Sequence, residues 1–456
     1  MASDLPVELV ELIFSNSSSS IETIKTLRLT CRAYANLGFP YLFKPCFTYL
    51  YWRGGDDARR LESWSRHARL RRLLRLLTIN LSQMDEYTGR HSSFFQYWAM
   101  MPEDRDAVLR AGWGEYYDKE AGRKAAGSTF ERDGVGLPAA MGMFEALENV
   151  RVVFNECPYE NDVLRRAFSD PSSRRFEPAQ AKETFELLTR MLAECVHLKR
   201  LDIDRFPMTM RPSVDIENLW GAFASSTGRR LEEIKLALDF SGLEGGELPG
   251  QTYSGWGESV GALLMDCWSV KKLAISKHYY TPLKARRRKT SRLNHLLLRD
   301  NPFQLTDLKL EGFAATGEEL LSFVTRQVPT LRRLRLGGRG VANPREKSRG
   351  GIWLEEGTWF AFFSGLKEAL REEKGVLERV HLEGDFGQAD ETEFEIDDHI
   401  QTVFETYDFY PTNNDEWEAV ERPKWLSGSV AETALDGVVF EQYVLGDTMP
   451  YPGFFL

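Results

Sequence analysis

The sequence holds few short motifs whose residue types could support catalysis or ligand binding. Gly134-x-Gly136-x-x-Ala139 has the spacing of a dinucleotide-binding loop, but polar residues precede it where a strand is required, and Pro138 interrupts it. Gly337-Gly338-Arg339-Gly340 lacks the Lys-Ser/Thr pair of a phosphate-binding loop, and we interpret it as a loop after a strand. The chain contains no Gly-x-Ser-x-Gly, His-Glu-x-x-His or Cys-x-x-Cys motif.

The cysteines and histidines give no support for a nucleophile or a metal site. The five cysteines are odd in number and scattered, and the seven histidines lack ligand spacing. Cys195-Val196-His197 ends a predicted helix, where a buried thiol and a capping imidazole are the simpler interpretation. We therefore predict that the protein is not an enzyme, needs no cofactor or metal, and keeps its thiols reduced in the cytoplasm, the nucleus or both.

Charge is distributed unevenly along the 456 residues. The net charge is −10, but residues 387–456 carry sixteen acidic residues against Arg422 and Lys424, so this segment has −14 and the rest has +4. An acidic chain is not expected to bind nucleic acid through its overall field. No apolar run is long enough to cross a membrane, and the N-terminus lacks the features of a signal peptide.

Two segments are strongly basic. Seven arginines lie between residues 59 and 75, and we interpret them as a solvated helix face because leucines between them need burial. Arg286 to Arg292 is interpreted as an exposed insertion loop, with a nuclear-import or phosphorylation segment as the alternative.

The first forty-odd residues have a helical pattern. Leu9, Leu12 and Ile13 have helical spacing, and Val10 and Phe14 widen the apolar stripe. Asp4 is a candidate N-cap, and the serines of residues 15–20 end the helix. A second stripe comprises Ile24, Leu27, Cys31 and Tyr34, and Tyr41-Leu42-Phe43 closes the segment. Three short helices cannot bury these faces alone, so we expect a partner or a neighbouring domain to cover them.

This segment resembles an F-box. The residues that carry the resemblance are Leu5-Pro6-x-Glu8-Leu9-x-x-x-Ile13, Leu27-Arg28-x-x-Cys31-Arg32-x-Tyr34-x-x-Leu37 and Leu42-Phe43. The resemblance implies docking on a Skp-type adaptor and, through it, on a cullin ubiquitin ligase. The adaptor contacts that it implies are Leu5, Pro6, Leu9, Ile13, Leu27 and Cys31. The alternative is an ordinary helical hairpin at the N-terminus.

A pattern of a helix, a short break and Leu-x-x-Leu-x-Leu recurs from residue 147 onward. Its matches begin at Leu147, Leu198, Leu231, Val270, Leu305, Leu331 and Leu377, and a further match begins at Leu293. Each unit supplies one strand and one amphipathic helix, and neither is covered until the next unit stacks on it. The pattern resembles leucine-rich repeats with insertions, of the divergent kind found in fungal F-box proteins. A conventional sheet of βαβ units is the rival architecture.

The predicted fold is therefore α/β, with an F-box of three helices followed by an irregular leucine-rich-repeat solenoid. We divide it into residues 1–45, residues 46–386 and an acidic, aromatic extension over 387–456 that packs on the last repeats and caps them. Residues 83–136 show the weakest secondary-structure pattern in the sequence.

The resemblance also locates a binding surface. In a repeat strand the leucines point into the core and the alternate residues line the concave face. The residues predicted to bind a protein substrate are Asp202, Asp204, Lys235, Lys309, Glu311, Arg335, His381 and Glu383. We expect Lys235, Lys309 and Arg335 to lie on the surface, so that reversing their charge leaves the fold intact. The favoured function is a substrate receptor of an SCF-type ubiquitin ligase, and the alternative is a repeat scaffold unconnected with ubiquitination.

Overall fold

The computed structural model consists of strands that alternate with helices. It describes residues 5–16, 20–43, 45–50, 54–133, 136–174, 178–207, 214–239, 260, 263–278, 303–338, 350–388, 393–397, 434–446 and 451. Asp4, the match at Leu293 and the basic run 286–292 lie outside these residues.

Four short helices form the N-terminal region: α1 (Val7–Asn16), α2 (Ile21–Thr30), α3 (Arg32–Leu37) and α4 (Phe39–Leu42). Ser20 caps α2, since its hydroxyl accepts a hydrogen bond from the Thr23 N–H at 3.3 Å. The Cys31 thiol caps α3 by accepting from the Tyr34 N–H at 3.4 Å. The apolar cluster at the end of the segment is therefore a fourth helix, one more than the sequence predicted.

Nine parallel strands form the main sheet. They are β1 (Cys46–Leu50), β2 (Leu76–Asn80), β3 (Asn149–Val153), β4 (Arg200–Pro207), β5 (Glu233–Asp239), β6 (Lys272–His278), β7 (Asp307–Glu311), β9 (Arg333–Gly337) and β11 (Arg379–Gly387), with β8 (Ala314–Thr316) between β7 and β9 in the chain. The spatial order of these nine strands is their chain order, and β8 lies beyond β11 at the end of the sheet. Seven of the nine are the strands predicted from the recurring leucine pattern, and these predictions are confirmed.

The junctions between units repeat the same geometry. The residue two positions before each predicted strand is a leucine or valine, and from Leu147 to Leu331 it is fully buried. At each of eight junctions, one carbonyl accepts two consecutive N–H groups of the next unit at 2.7–3.2 Å. These carbonyls belong to Pro45, Arg75, Glu148, Lys199, Glu232, Lys271, Thr306 and Arg332. The chain therefore turns into each strand in the same way, which fixes the register of the sheet.

Helices follow most strands. They are α5 (Gly54–Arg66), α6 (Glu86–Gln96), α7 (Pro102–Asp133), α8 (Gly136–Gly142), α9 (Asp162–Ser169), α10 (Pro178–Ala193), α11 (Val214–Ser226), α12 (Gly317–Thr325) and α13 (Trp359–Glu372). Short 3₁₀ turns occupy Pro171–Arg174 and Gly228–Arg230. Leucines of the strands pack with aromatic residues of the helices, such as Phe185, Phe223 and Trp359, in one continuous core. That core lies between the helices and one face of the sheet.

Residues 83–136, which have the weakest secondary-structure pattern in the sequence, contain α6, α7 and the start of α8. Helices α7 and α9 have a separate small core around Trp113, Tyr116 and Phe168. No described helix is both long and apolar enough to cross a membrane.

The described part of the C-terminal extension packs against the end of the sheet. Strand β12 (Glu393–Asp397) pairs antiparallel with β11, and β13 (Ala434–Asp436) pairs with β12. Strand β10 (Trp353–Glu356) lies between β11 and β8. Helix α14 (Gly437–Leu445) places Phe440 and Val444 in the main core. The described residues of the extension are therefore built into the last unit of the sheet.

Candidate functional site: two interaction surfaces

The N-terminal helices enclose a small core of their own. Phe14 is fully buried, with its ring stacked on Tyr41 at 5.6 Å and edge-on to Tyr34 at 6.1 Å. Val10 and Ile24 complete this core. Helix α3 can approach so closely because Gly38 has no side chain, and a Cβ there would lie 2.5 Å from the Phe14 ring.

The opposite side of α1 is apolar and exposed. Leu5, Leu9, Leu12 and Ile13 follow helical spacing on that side, and Leu9 and Leu12 are 47% and 55% exposed. The apolar stripe predicted from the sequence is therefore split: Val10 and Phe14 face inward, and the others face outward. A cluster of exposed aliphatic side chains on one helix is unusual for a surface that has no partner. We call this set the α1 surface.

The six residues predicted to contact the adaptor do not all lie on that surface. Leu5, Pro6, Leu9 and Ile13 are exposed. Leu27 and Cys31 are half-buried and pack against the inner core instead. The helices are held to the start of the sheet by aromatic contacts, because Phe39 stacks on His67 at 5.9 Å and Phe43 meets Trp64 edge-on at 5.8 Å.

The second surface is the face of the sheet opposite the core. It is formed by the strand residues that alternate with the core residues. Row one comprises Cys46, Leu76, Asn149, Arg200, Glu233, Lys272, Asp307, Arg333 and Arg379. Row two comprises Thr48, Thr78, Arg151, Asp202, Lys235, Ala274, Lys309, Arg335 and His381. Residues of one row are register neighbours on successive strands. Of the eight predicted substrate-binding residues, row two contains Asp202, Lys235, Lys309, Arg335 and His381.

Most charges on this face form ion pairs within or between strands. Lys309 Nζ lies 2.7 Å from Glu311 Oε2, Arg335 Nη2 lies 2.8 Å from Glu383 Oε2, and Lys235 Nζ lies 3.2 Å from Glu233 Oε1. The carboxylate is the deeper partner in each pair. The prediction that these cations lie on the surface is wrong for Lys309 and Arg335 in particular, since both are mostly covered by neighbours.

Asp204 has a structural role at the end of β3. Its carboxylate is buried and accepts hydrogen bonds from the Phe154 N–H at 2.6 Å and the Asn155 N–H at 3.0 Å. The Asn155 amide in turn donates to the Asp204 carbonyl at 3.0 Å. Burial raises the pKa of Asp204 to about 7, although the two N–H groups act in the opposite direction. With both oxygens engaged in this turn, Asp204 is poorly placed to bind a substrate.

The raised pKa of Asp204 predicts a pH-dependent stability. The folded protein holds the proton between about pH 4 and pH 7, so this group stabilises the fold at low pH, and the contribution is lost as pH rises through 7. We expect the difference in unfolding free energy between wild type and Asp204→Asn to shrink by about 2–3 kcal/mol from pH 5 to pH 8. Urea titrations of both proteins measure it, and a difference independent of pH would contradict the assignment.

The buried His278 also makes stability depend on pH, but it does not disturb that measurement. Burial lowers its pKa to about 4, so its contribution has the opposite sign and is lost as pH falls below about 6.5. Because wild type and Asp204→Asn share His278, its effect cancels in the difference between them.

No protein-family model and no curated protein sequence matches the chain. The two surfaces are therefore interpreted from their own geometry.

The residues considered for catalysis have structural explanations where the structure describes them. Gly337 has φ of 83°, which favours glycine, and a Cβ there would overlap the Glu383 carbonyl. Burial raises the pKa of the Cys195 thiol to about 12, which makes it a poor nucleophile. His197 is exposed. Among the described residues, no group of three acidic, histidine or cysteine side chains is arranged to hold a metal ion.

The arginines between residues 59 and 75 have intramolecular partners. Arg71 and Arg72 both pair with Glu145, at 2.8 and 3.0 Å, and Arg69 lies over the Phe39 ring at 5.4 Å. These contacts tie α5 and the start of β2 to their neighbours.

Sequence reasoning missed row one of the sheet face. Its residues stand directly before the second leucine of each pattern, and their charges alternate in sign between Arg200, Glu233, Lys272, Asp307 and Arg333. That alternation was readable in the sequence once the strands were aligned.

Proposed function

We propose that this protein is a non-catalytic substrate receptor of an SCF-type cullin ubiquitin ligase. In this proposal the N-terminal helices form an F-box that binds a Skp-type adaptor, and the polar sheet face binds the protein substrate. The observation that carries the proposal is the α1 surface: Leu5, Leu9, Leu12 and Ile13 are exposed although the helical cluster already has a filled core. Such residues reach their lowest free energy when a partner covers them.

The architecture supports the second half of the proposal. The helices cover one face of the sheet, the units follow one another in chain order, and eight junctions have the same carbonyl geometry. This is what stacked leucine-rich repeats require, and it leaves the other face for a ligand. We propose that the sheet is an irregular solenoid of such repeats.

The proposed mechanism is proximity. A receptor that holds its substrate on a ligase raises the effective concentration of substrate lysines near the ubiquitin carrier. The receptor itself then needs no nucleophile, cofactor or metal. This role belongs in the cytoplasm or the nucleus.

The α1 surface gives a direct test. Replacing Leu9 and Ile13 by Asp places two charges in an apolar interface, at a cost of several kcal/mol, so adaptor binding is expected to fall by at least about 100-fold. Because both residues are exposed and neither belongs to the inner core, the fold should survive. Binding is measured by calorimetry with a purified Skp-type adaptor, and folding by circular dichroism.

The matched control is Thr23→Asp with Thr26→Asp, which adds the same two charges at exposed polar positions of α2. Adaptor binding should persist in this control. If wild type binds no Skp-type adaptor, and purification from the native cells recovers neither adaptor nor cullin, the alternative of a repeat scaffold outside ubiquitination is the better one.

A further inference from the structure

The charges of the sheet face are layered. In four ion pairs on strands β4 to β11 the carboxylate lies deeper than its cation: Arg200 is 52% exposed and Glu233 7%, and Lys309 is 18% exposed and Glu311 3%. Arg333 and Asp307, and Arg335 and Glu383, have the same order. Arg151 on β3 has the opposite order, since it is 22% exposed and its partner Asp202 is 30% exposed. A molecule that approaches these four pairs therefore meets the cation of each pair first. The carboxylates below hold those groups in position, which reduces the entropy lost on binding.

The cations also have a regular spacing over part of each row, which ends where Arg335 follows Lys309 and Arg379 follows Arg333 on adjacent strands. Row two has Arg151 on β3, Lys235 on β5 and Lys309 on β7, with Asp202 and Ala274 on the strands between them. Adjacent strands lie about 4.8 Å apart, so cations on alternate strands are about 10 Å apart.

Row one repeats this spacing, shifted by one strand. Its cations Arg200, Lys272 and Arg333 lie on β4, β6 and β9, and its acids Glu233 and Asp307 lie on β5 and β7. From β3 to β7, the cation of each successive strand therefore lies alternately in row two and row one.

We infer that this face binds an extended, acidic segment of a partner protein that carries a carboxylate at every third residue and lies across the strands. A polyproline II segment has three residues per turn and a rise of about 3.1 Å per residue, so its every-third side chains are about 9 Å apart on one side. That distance matches the separation of the cations in each row. The inference adds a class of ligand to the proposed function. It rests on that function only because it takes this face as the substrate surface.

Nucleic acid is a poorer ligand for the same face. The two rows contain no Phe, Tyr or Trp on which bases could stack. An acidic peptide does not need such a stacking surface.

The test uses the full chain and a fluorescent peptide of five Glu-Pro-Ser repeats. We expect anisotropy to give a dissociation constant in the micromolar range that weakens at least about tenfold between 50 and 300 mM salt. A peptide of the same composition with its five glutamates adjacent should bind at least about fivefold more weakly. Equal binding of the two peptides would contradict the proposed spacing of one carboxylate at every third residue. Absence of binding by both peptides would overturn the inference. Tighter binding of a 15-nucleotide RNA would also overturn it.

A triple variant locates the binding site. Arg151→Gln, Arg200→Gln and Lys272→Gln remove three cations of the face, and Glu233 keeps Lys235 as a partner. We expect at least tenfold weaker peptide binding. The matched control is Arg59→Gln, Arg66→Gln and Arg190→Gln, which removes three exposed cations from helices and should change binding less than twofold. Equal losses in both variants would mean that net charge alone attracts the peptide, and would refute the assignment.

This assay separates the inference from the proposed function, because no adaptor takes part in it. Leu9→Asp with Ile13→Asp should bind the peptide as wild type does. If the peptide binds and no adaptor does, the inference stands and the proposed function fails. If the adaptor binds and the peptide does not, the reverse holds.

Discussion

Deletion of residues 434–456 is expected to turn a soluble protein into an aggregating one. Helix α14 buries Phe440, Tyr443 and Val444 in the main core, against the last units of the sheet. Burial of these three side chains is worth about 6 kcal/mol, which is comparable to the whole stability of many proteins. The deletion also exposes the apolar end of the array, and such ends promote association.

The helix protects the sheet edge as well. Glu441 Oε2 accepts a hydrogen bond from the Val380 N–H at 2.8 Å and lies 3.4 Å from Arg379 Nε. Without it, the first half of β11 presents unpaired backbone groups that another chain can pair with.

Single substitutions separate the contribution of the core from the effect of shortening the chain. Phe440→Ala should cost about 3–5 kcal/mol, whereas Gln442→Ala on the exposed side of α14 should cost less than about 0.5 kcal/mol. Light scattering and thermal denaturation measure both effects. A soluble truncated protein with unchanged melting would mean that the segment is a passive appendage.

The strands were predictable because each has the same local pattern. Two apolar residues separated by one position fill the core side, and a leucine two residues before the strand fills the turn into it, as at Leu198, Leu201 and Ile203. Strands β8, β10, β12 and β13 follow no such pattern. They depend on pairing with residues far along the chain, such as Trp353 with Gly387, and local sequence contains no information about such pairing.

The α1 surface was only partly predictable. Both sides of α1 are apolar, so periodicity alone could not decide whether Val10 and Phe14 or Leu9 and Ile13 face the core. The decision depends on Gly38 and Tyr34, which meet Phe14 only after three helices have folded together. The depth of the charges on the sheet face was equally hidden, because ion pairs such as that of Arg335 with Glu383 join strands that are 48 residues apart.

Reversal of Lys309 to Glu is expected to destabilise the fold rather than merely change its surface. Lys309 Nζ lies 2.7 Å from Glu311 Oε2, and that same oxygen accepts a hydrogen bond from the Ser276 hydroxyl at 3.0 Å. The Glu311 side chain is almost fully buried, so the reversal would place a second carboxylate beside a buried one. Loss of one partner of a buried pair costs about 3–5 kcal/mol, and repulsion between the two carboxylates adds to this. The burial of Glu311 therefore favours destabilisation over the expectation that charge reversal at Lys309 leaves the fold intact.

Lys272→Gln is the control, since Lys272 is half-buried in row one and forms no ion pair among the described residues. Its unfolding free energy should change by less than about 1 kcal/mol. The double change Lys309→Gln with Glu311→Gln removes both charges and should recover most of the stability lost in Lys309→Glu. Urea denaturation of the three variants decides the matter, and a Lys309→Glu protein as stable as wild type would contradict the role assigned to this pair. Because loss of a partner by an unfolded variant says nothing about binding, the sheet face must be tested by neutralising Arg151, Arg200 and Lys272 instead.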